Sequence, residues 1–190
     1  MERVIVIGGG QSVKQMDVKE ICKRGYAIGV NDAAVRAPVN MGLSMDRRWA
    51  DWRLEDIKNK PFWLRKLSIP AKWEGLNFFK SNHETDTFSK ETGTLNGRNS
   101  GHCAVNLAYQ MKPKQIFLFG FDMKGGYWYP QYPWTVPKRT ESRILQNWVT
   151  GFIEAKRMCD EAGIELFLVG ESQITNVPKL SYGEFLECTK

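Results

Sequence analysis

The stretch Arg3–Ser12, RVIVIGGGQS, decides the fold. Four consecutive β-branched residues, Val4 to Ile7, are too few for a buried helix and leave no polar face. They predict a strand covered on both sides, as in a parallel sheet. Three glycines then end the strand abruptly. Working outward, QIFLFGFD (Gln115–Asp122) and ELFLVGES (Glu165–Ser172) repeat the form: an apolar run, then a glycine-containing turn. YAIGVND, MGLSMD and NFFKSN are weaker strand candidates. Helical spacing marks Asp17–Arg24 and Ser100–Met111. It also marks Glu141–Ala162, where Ile144, Leu145, Trp148, Phe152, Ile153, Ala155 and Cys159 form the apolar stripe. Gly163 stands where a helix C-cap glycine would. Alternating strands and helices predict an α/β fold: one Rossmann-like domain over residues 1–190, with a mostly parallel sheet flanked by helices. Two segments resist this pattern and read as irregular insertions: about 47–74, rich in Trp and charge, and about 125–138, GGYWYPQYPWTVPK.

Bulk properties narrow the function classes. A chain of 190 residues that is 42% hydrophobic and 25% charged suits one soluble core. No run approaches the roughly 18 apolar residues of a membrane helix, and the N-terminus does not read as a signal peptide. A cytoplasmic protein is therefore expected. Cys22, Cys103, Cys159 and Cys188 form no CxxC pair, so no metal site is expected and the thiols are expected to be reduced. Lys and Arg exceed Asp and Glu by 27 to 21. That excess suits a phosphate-bearing ligand or nucleic acid, and equally suits solubility.

Ligands of open α/β sheets bind beyond the carboxyl ends of the strands. The first strand is followed there by Gly8, Gly9, Gly10, Gln11 and Ser12, read as a phosphate-approaching loop or as a tight turn. The second is followed by Asn31 and Asp32. The third is followed by Asp46, Arg47 and Arg48, whose guanidiniums suit phosphate. NGRNSGHCAV, Asn96–Val105, places Arg98, Asn99, Ser100, Gly101 and His102 at a helix start. One of Asn99 and Ser100 caps the helix; the rest surround an anion-favouring terminus. After the next strand come Gly120 and Asp122.

In this order the pieces resemble the bacterial sialyltransferases of glycosyltransferase family 42 and the related DUF115 or MptE-like domains. The resemblance runs from about Val4 to Gly170. It rests on Gly8, Gly10 and Ser12, on Asn31, on Asn99-Ser100-Gly101, and on Gly120 and Asp122. It implies a metal-free site for a nucleotide or CMP-sugar-like donor, formed by the glycine loop, Asn31 and Asn99–Gly101. Tyr127 and Tyr129 would lie near donor phosphate. It also implies a glycosyltransferase-like activity and a homo-oligomer, although no self-association motif is visible. The family's general-base His precedes its last long helix, yet Trp134–Arg143 contains none; only His83 and His102 occur. His102, Asp46 or Asp122 is then the expected base. The MptE-like branch implies an alternative, diphosphate transfer from ATP with Mg²⁺ held by Asp32, Asp46 and Asp122. A non-catalytic nucleotide-binding protein is a further alternative. Nucleic acid is a candidate acceptor on the basic balance and loop aromatics alone.

Overall fold

The computed structural model describes residues 1–66, 73, 75–82, 85–130, 132–134 and 141–190, the first five of the last range by backbone only. A single eight-stranded sheet runs through it. In chain order the strands are β1 (Arg3–Ile7), β2 (Tyr26–Val30), β3 (Met41–Ser44), β4 (Phe62–Arg65), β5 (Asn77–Phe79), β6 (Gln115–Phe119), β7 (Glu165–Val169) and β8 (Lys179–Leu180). Their spatial order is β5-β4-β3-β2-β1-β6-β7-β8, and every pairing is parallel. The α/β fold with helices on both faces is as the sequence predicts.

Residues Val4 to Ile7 of β1 are fully buried, as a central strand with two covered faces requires. One face packs under α5 (Ser100–Gln110) and α6 (Glu141–Glu161). The other packs under α1 (Val18–Lys23), α2 (Ala33–Arg36) and α7 (Tyr182–Cys188). α3 (Arg47–Trp52) and α4 (Leu54–Ile57) cover a third cluster around Trp49, Phe62 and Trp73. Each buried Ile, Leu or Phe contributes roughly 1.5–3 kcal/mol, so the sheet interior dominates stability.

The weak strand signals of β2 and β3 have a packing cause. A methyl group on Gly29 would lie 2.6 Å from the Ala34 backbone, and one on Gly42 would lie 2.4 Å from the Phe62 ring. The α2 backbone and the Phe62 ring fill the space there, so bulkier strand formers do not fit. The expected irregular insertion 47–74 is corrected: it carries α3, α4 and β4, and Trp63 is a strand residue. Its pattern was masked because α3 and α4 are short, and a four-residue strand shows no clear period. Within α6, Phe152, Ala155 and Cys159 are buried, but Ile153 is 60% exposed and points away from the core. Ile144 and Leu145 lie outside the residues whose side chains are described. Cys103 and Cys159 are buried and Cys22 half-buried, whereas Cys188 is exposed; all four are free thiols. Burial pushes the Cys22 thiol up to about 11 and the Cys103 and Cys159 thiols up to about 12. No helix among the described residues is long and apolar enough to cross a membrane.

Candidate functional site

The strand order reverses beside β1: β2 to β5 extend one way, and the chain returns to lay β6 on the other side. At such a switch point the loops leaving adjacent strands diverge and open a crevice. Gly8–Ser12, Asn31–Asp32, Met45–Arg48, Phe121–Asp122 and the N-terminus of α5 come to this edge.

The glycine loop is bound to the β6 end rather than held open. Gly8 N–H donates to the Phe119 carbonyl at 2.7 Å, and Gly10 N–H to the Gly120 carbonyl at 2.8 Å. Ser12 donates its N–H (2.8 Å) and its hydroxyl (2.5 Å) to the Asp122 carboxylate. A Cβ on Gly10 would meet that carboxylate at 2.4 Å. The loop is therefore glycine-rich because two strand ends touch. Three of its amides already face protein acceptors, and the helical turn that follows, Gln11–Gln15, spans only five residues. Phosphate approach is correspondingly less natural than the sequence pattern implies.

The aromatic segment expected as a loop closes over this turn. Trp128 donates its backbone N–H to Gly9 O at 3.1 Å and its indole N–H to Gly8 O at 2.9 Å. The Tyr127 and Tyr129 rings stack at 5.2 Å, and a Cβ on Gly9 would meet the Tyr129 hydroxyl at 2.6 Å. Tyr132 stacks on Trp134, which meets Trp52 edge-on. Arg36, Arg48 and Arg53 lie over Tyr129, Trp134 and Trp52 respectively. Burial holds the Tyr129 and Tyr132 phenols well above their ordinary pKa, and the Asp32 charge adds to this. Gln131 and residues 135–138 of this insertion lie outside the described residues.

Asn31 follows β2 in the left-handed region, φ 52°, with its N–H donated to Leu43 O. Its side chain lies near enough to Tyr132 to favour that phenol's ionised form slightly, and its Oδ1 is buried with no hydrogen-bond partner. Asn99 caps α5 by accepting the His102 N–H at 2.9 Å, and its Nδ2 is likewise buried and unpartnered. Ser100 is no second cap: its hydroxyl accepts the Met45 N–H at 2.9 Å and ties α5 to the end of β3. Gly101 is pressed against Phe121, where a Cβ would meet the ring at 3.0 Å. Ser100→Ala should thus leave a buried Met45 N–H unpaired and cost about 1–3 kcal/mol. Denaturant titration reads this; an unchanged midpoint would return Ser100 to a ligand role alone.

Other expected site residues have structural partners. Asp32 is fully buried and bound by Arg53, Arg36 and the Trp49 indole. Arg98 pairs with Asp86 at 2.6 Å. His102 is only 1% exposed, between the Phe88 and Phe152 rings with Gly151 against its edge. His102, expected as a candidate base, has its ring packed toward α6, on Phe152 and Gly151. Burial lowers its pKa to about 4, opposed by Asp86, whose carboxylate is 3.9 Å from Nδ1, and aided by Arg98. His83 lies outside the described residues.

Asp46, by contrast, is exposed at the β3 end. It caps α3 by accepting the Trp49 N–H at 3.2 Å. Arg47 and Arg48 are exposed beside it, Arg47 near Asp51 and over Trp73. Asp32, Asp46 and Asp122 are not gathered: among the described residues no group of three or more acidic, His or Cys side chains is placed to hold a metal ion. The sequence reading missed Trp49, Arg53 and Tyr132, because a buried carboxylate's partners come from elements distant in sequence. The chain matches no protein-family model and no curated protein.

Proposed function

We propose that this protein is a glycosyltransferase-like enzyme that takes a nucleotide sugar in the switch-point crevice, between the β2 end and the α5 N-terminus. One observation carries the reading. Asn31 Oδ1 and Asn99 Nδ2, an acceptor and a donor, are buried there without partners. Buried polar atoms left unsatisfied cost about 1–3 kcal/mol each, a cost that a ligand with matching hydrogen-bonding groups removes. The α5 N-terminus adds a favourable field for the nucleotide's phosphate. Entry of the donor requires Tyr127, Trp128 and Tyr129 to move off Gly8 and Gly9. The proton of the acceptor hydroxyl goes to Asp46, whose exposed carboxylate stands at the same edge.

A second reading, a nucleotide-binding protein without turnover, is favoured by the burial of His102. Diphosphate transfer with Mg²⁺ has less support, since Asp32 and Asp122 are engaged by Arg, Trp and Ser partners. Calorimetry with CMP, CTP, ATP and UDP-sugars, together with an assay for nucleotide release, tests all three. Asn31→Gly keeps the left-handed backbone and removes the amide. It is expected to leave the melting temperature within about 2 °C and weaken nucleotide binding about tenfold or more, the loss of one or two hydrogen bonds. Asp46→Asn should stop turnover and leave affinity intact. Absence of nucleotide binding in folded wild-type protein would end the proposal.

A further inference from the structure

The glycine turn after β1 is held on two sides. Its amides at Gly8 and Gly10 donate to the β6 end, and its carbonyls at Gly8 and Gly9 accept from Trp128, from the indole N–H at 2.9 Å and the backbone N–H at 3.1 Å. The neighbours of Trp128 close on the same turn. A Cβ on Gly9 would meet the Tyr127 ring at 2.8 Å and the Tyr129 hydroxyl at 2.6 Å. Three consecutive aromatic residues thus cover the carboxyl end of β1, the strand beside which the crevice opens. The cover also touches the element after β2, where the Arg36 guanidinium lies 5.9 Å from the Tyr129 ring centre.

This cover is not built like the core beneath it. Tyr127 is 41% exposed and Trp128 is half-buried. Tyr129 is buried, but its phenol stands beside the Tyr132 phenol and within reach of the Asp32 charge. The chain enters the cover through Gly125 and Gly126. Gly126 is in the left-handed region at φ 95°, and the space around Gly125 is open. A segment tied by a few polar bonds and ring contacts opens at lower cost than a strand, and glycines at its root absorb the backbone rotation.

We infer that Trp128 is the latch of this cover: it holds the crevice shut in the free protein, so that a nucleotide binds only the molecules whose cover is released. The inference rests on the nucleotide-binding reading of the crevice. Apparent affinity is then lowered by the open fraction, and weakening the latch raises it. An indole that served only to contact the ligand would act in the opposite sense, its loss weakening binding.

The test uses the full chain and two variants that loosen the cover from different places. Trp128→Phe keeps an apolar ring and removes the indole donor. Gly126→Ala leaves Trp128 in place; its side chain is strained at φ 95° and overlaps the Gln11 amide while the cover is closed. By calorimetry with CMP each variant is expected to bind about three- to tenfold more tightly than wild type, the effect of losing one hydrogen bond from the closed state. Hydrogen exchange without ligand should be faster at the Trp128 N–H in both variants. Equal CMP affinity in all three proteins overturns the latch. Weaker binding by Trp128→Phe at an unchanged melting temperature also overturns it and makes the indole a ligand contact. If Trp128→Phe melts several degrees below wild type, Gly126→Ala decides by the same measure. Tighter CMP binding by the variants, with no nucleotide released from any nucleotide sugar, ends the transferase reading and leaves the latch standing. If none of the three proteins binds CMP, CTP, ATP or a UDP-sugar, the nucleotide reading and the latch fall together.

Discussion

Asp32→Ala should be the most destabilising substitution at the carboxyl edge of the sheet, lowering stability by about 3–5 kcal/mol, as removal of one partner from a buried ion pair does. The residue is fully buried, and each carboxylate oxygen has a defined task. Oδ2 accepts the Trp49 indole N–H at 2.9 Å. Oδ1 accepts from Arg53 at 2.6 Å and from Arg36 at 3.4 Å. Truncation leaves the Arg53 guanidinium, 18% exposed, without its buried counter-ion and the Trp49 N–H without an acceptor. The loss reaches beyond one contact, because Trp49 stacks on Phe62 and Arg53 lies over Trp52. For a domain of this size the melting temperature should fall by roughly 10 °C or more. Asp32→Asn keeps the shape and one acceptor, so it should fall between wild type and Asp32→Ala. Urea titration of the three proteins is the measurement. A variant with wild-type stability and abolished nucleotide binding would instead make Asp32 a ligand residue.

The second large effect is acid destabilisation through His102. Its imidazole is buried against Phe88 and Phe152, and its pKa is lowered to about 4 from an ordinary 6.5. Above about pH 6.5 it is neutral in the folded and unfolded chains and contributes nothing to the pH dependence. Between about 6.5 and 4 the unfolded chain takes up a proton that the folded chain refuses, so unfolding becomes easier as pH falls. The shift corresponds to about 3 kcal/mol lost across that window. The charged neighbours are Asp86, which favours the protonated form, and Arg98, which disfavours it. His102→Leu should flatten the stability–pH curve between 6.5 and 4, although its stability at pH 7.5 will drop through imperfect packing. The slope, not the absolute value, carries the result: an unaltered slope in His102→Leu would assign acid sensitivity to other groups. Turnover, where present, should survive in this variant if Asp46 is the base.

The predictions for Asp32 and His102 show where sequence reading stopped. Asn31-Asp32 and Ser100–His102 were legible as polar residues at strand and helix ends, and such ends do meet at one edge of the sheet. What each polar group faces was not legible. Asp32 could equally have met a ligand or a metal; Arg36, four residues on, is a local partner, but Trp49 and Arg53 arrive from a helix and turn beyond another strand. His102 occupies a helix position whose direction depends on where α6 packs, and Gly151 of α6 allows that helix to close on the imidazole edge.

The backbone class was determined by sequence alone. Short β-branched and aromatic runs such as RVIVI and QIFLF can bury two faces only within a parallel sheet, and the helical periods between them supply the covers. The turn residues likewise placed the polar groups at the carboxyl edge. Tertiary structure decided which of those turn residues remain open to a ligand. Hydrogen-bond satisfaction depends on distances between chain segments far apart in sequence. Ser12 thus meets Asp122, Ser100 meets Met45 and Trp128 meets Gly8, while Asn31 Oδ1 and Asn99 Nδ2 are left without partners. Composition and spacing determine which groups are polar; only packing determines which of them water or protein has already satisfied.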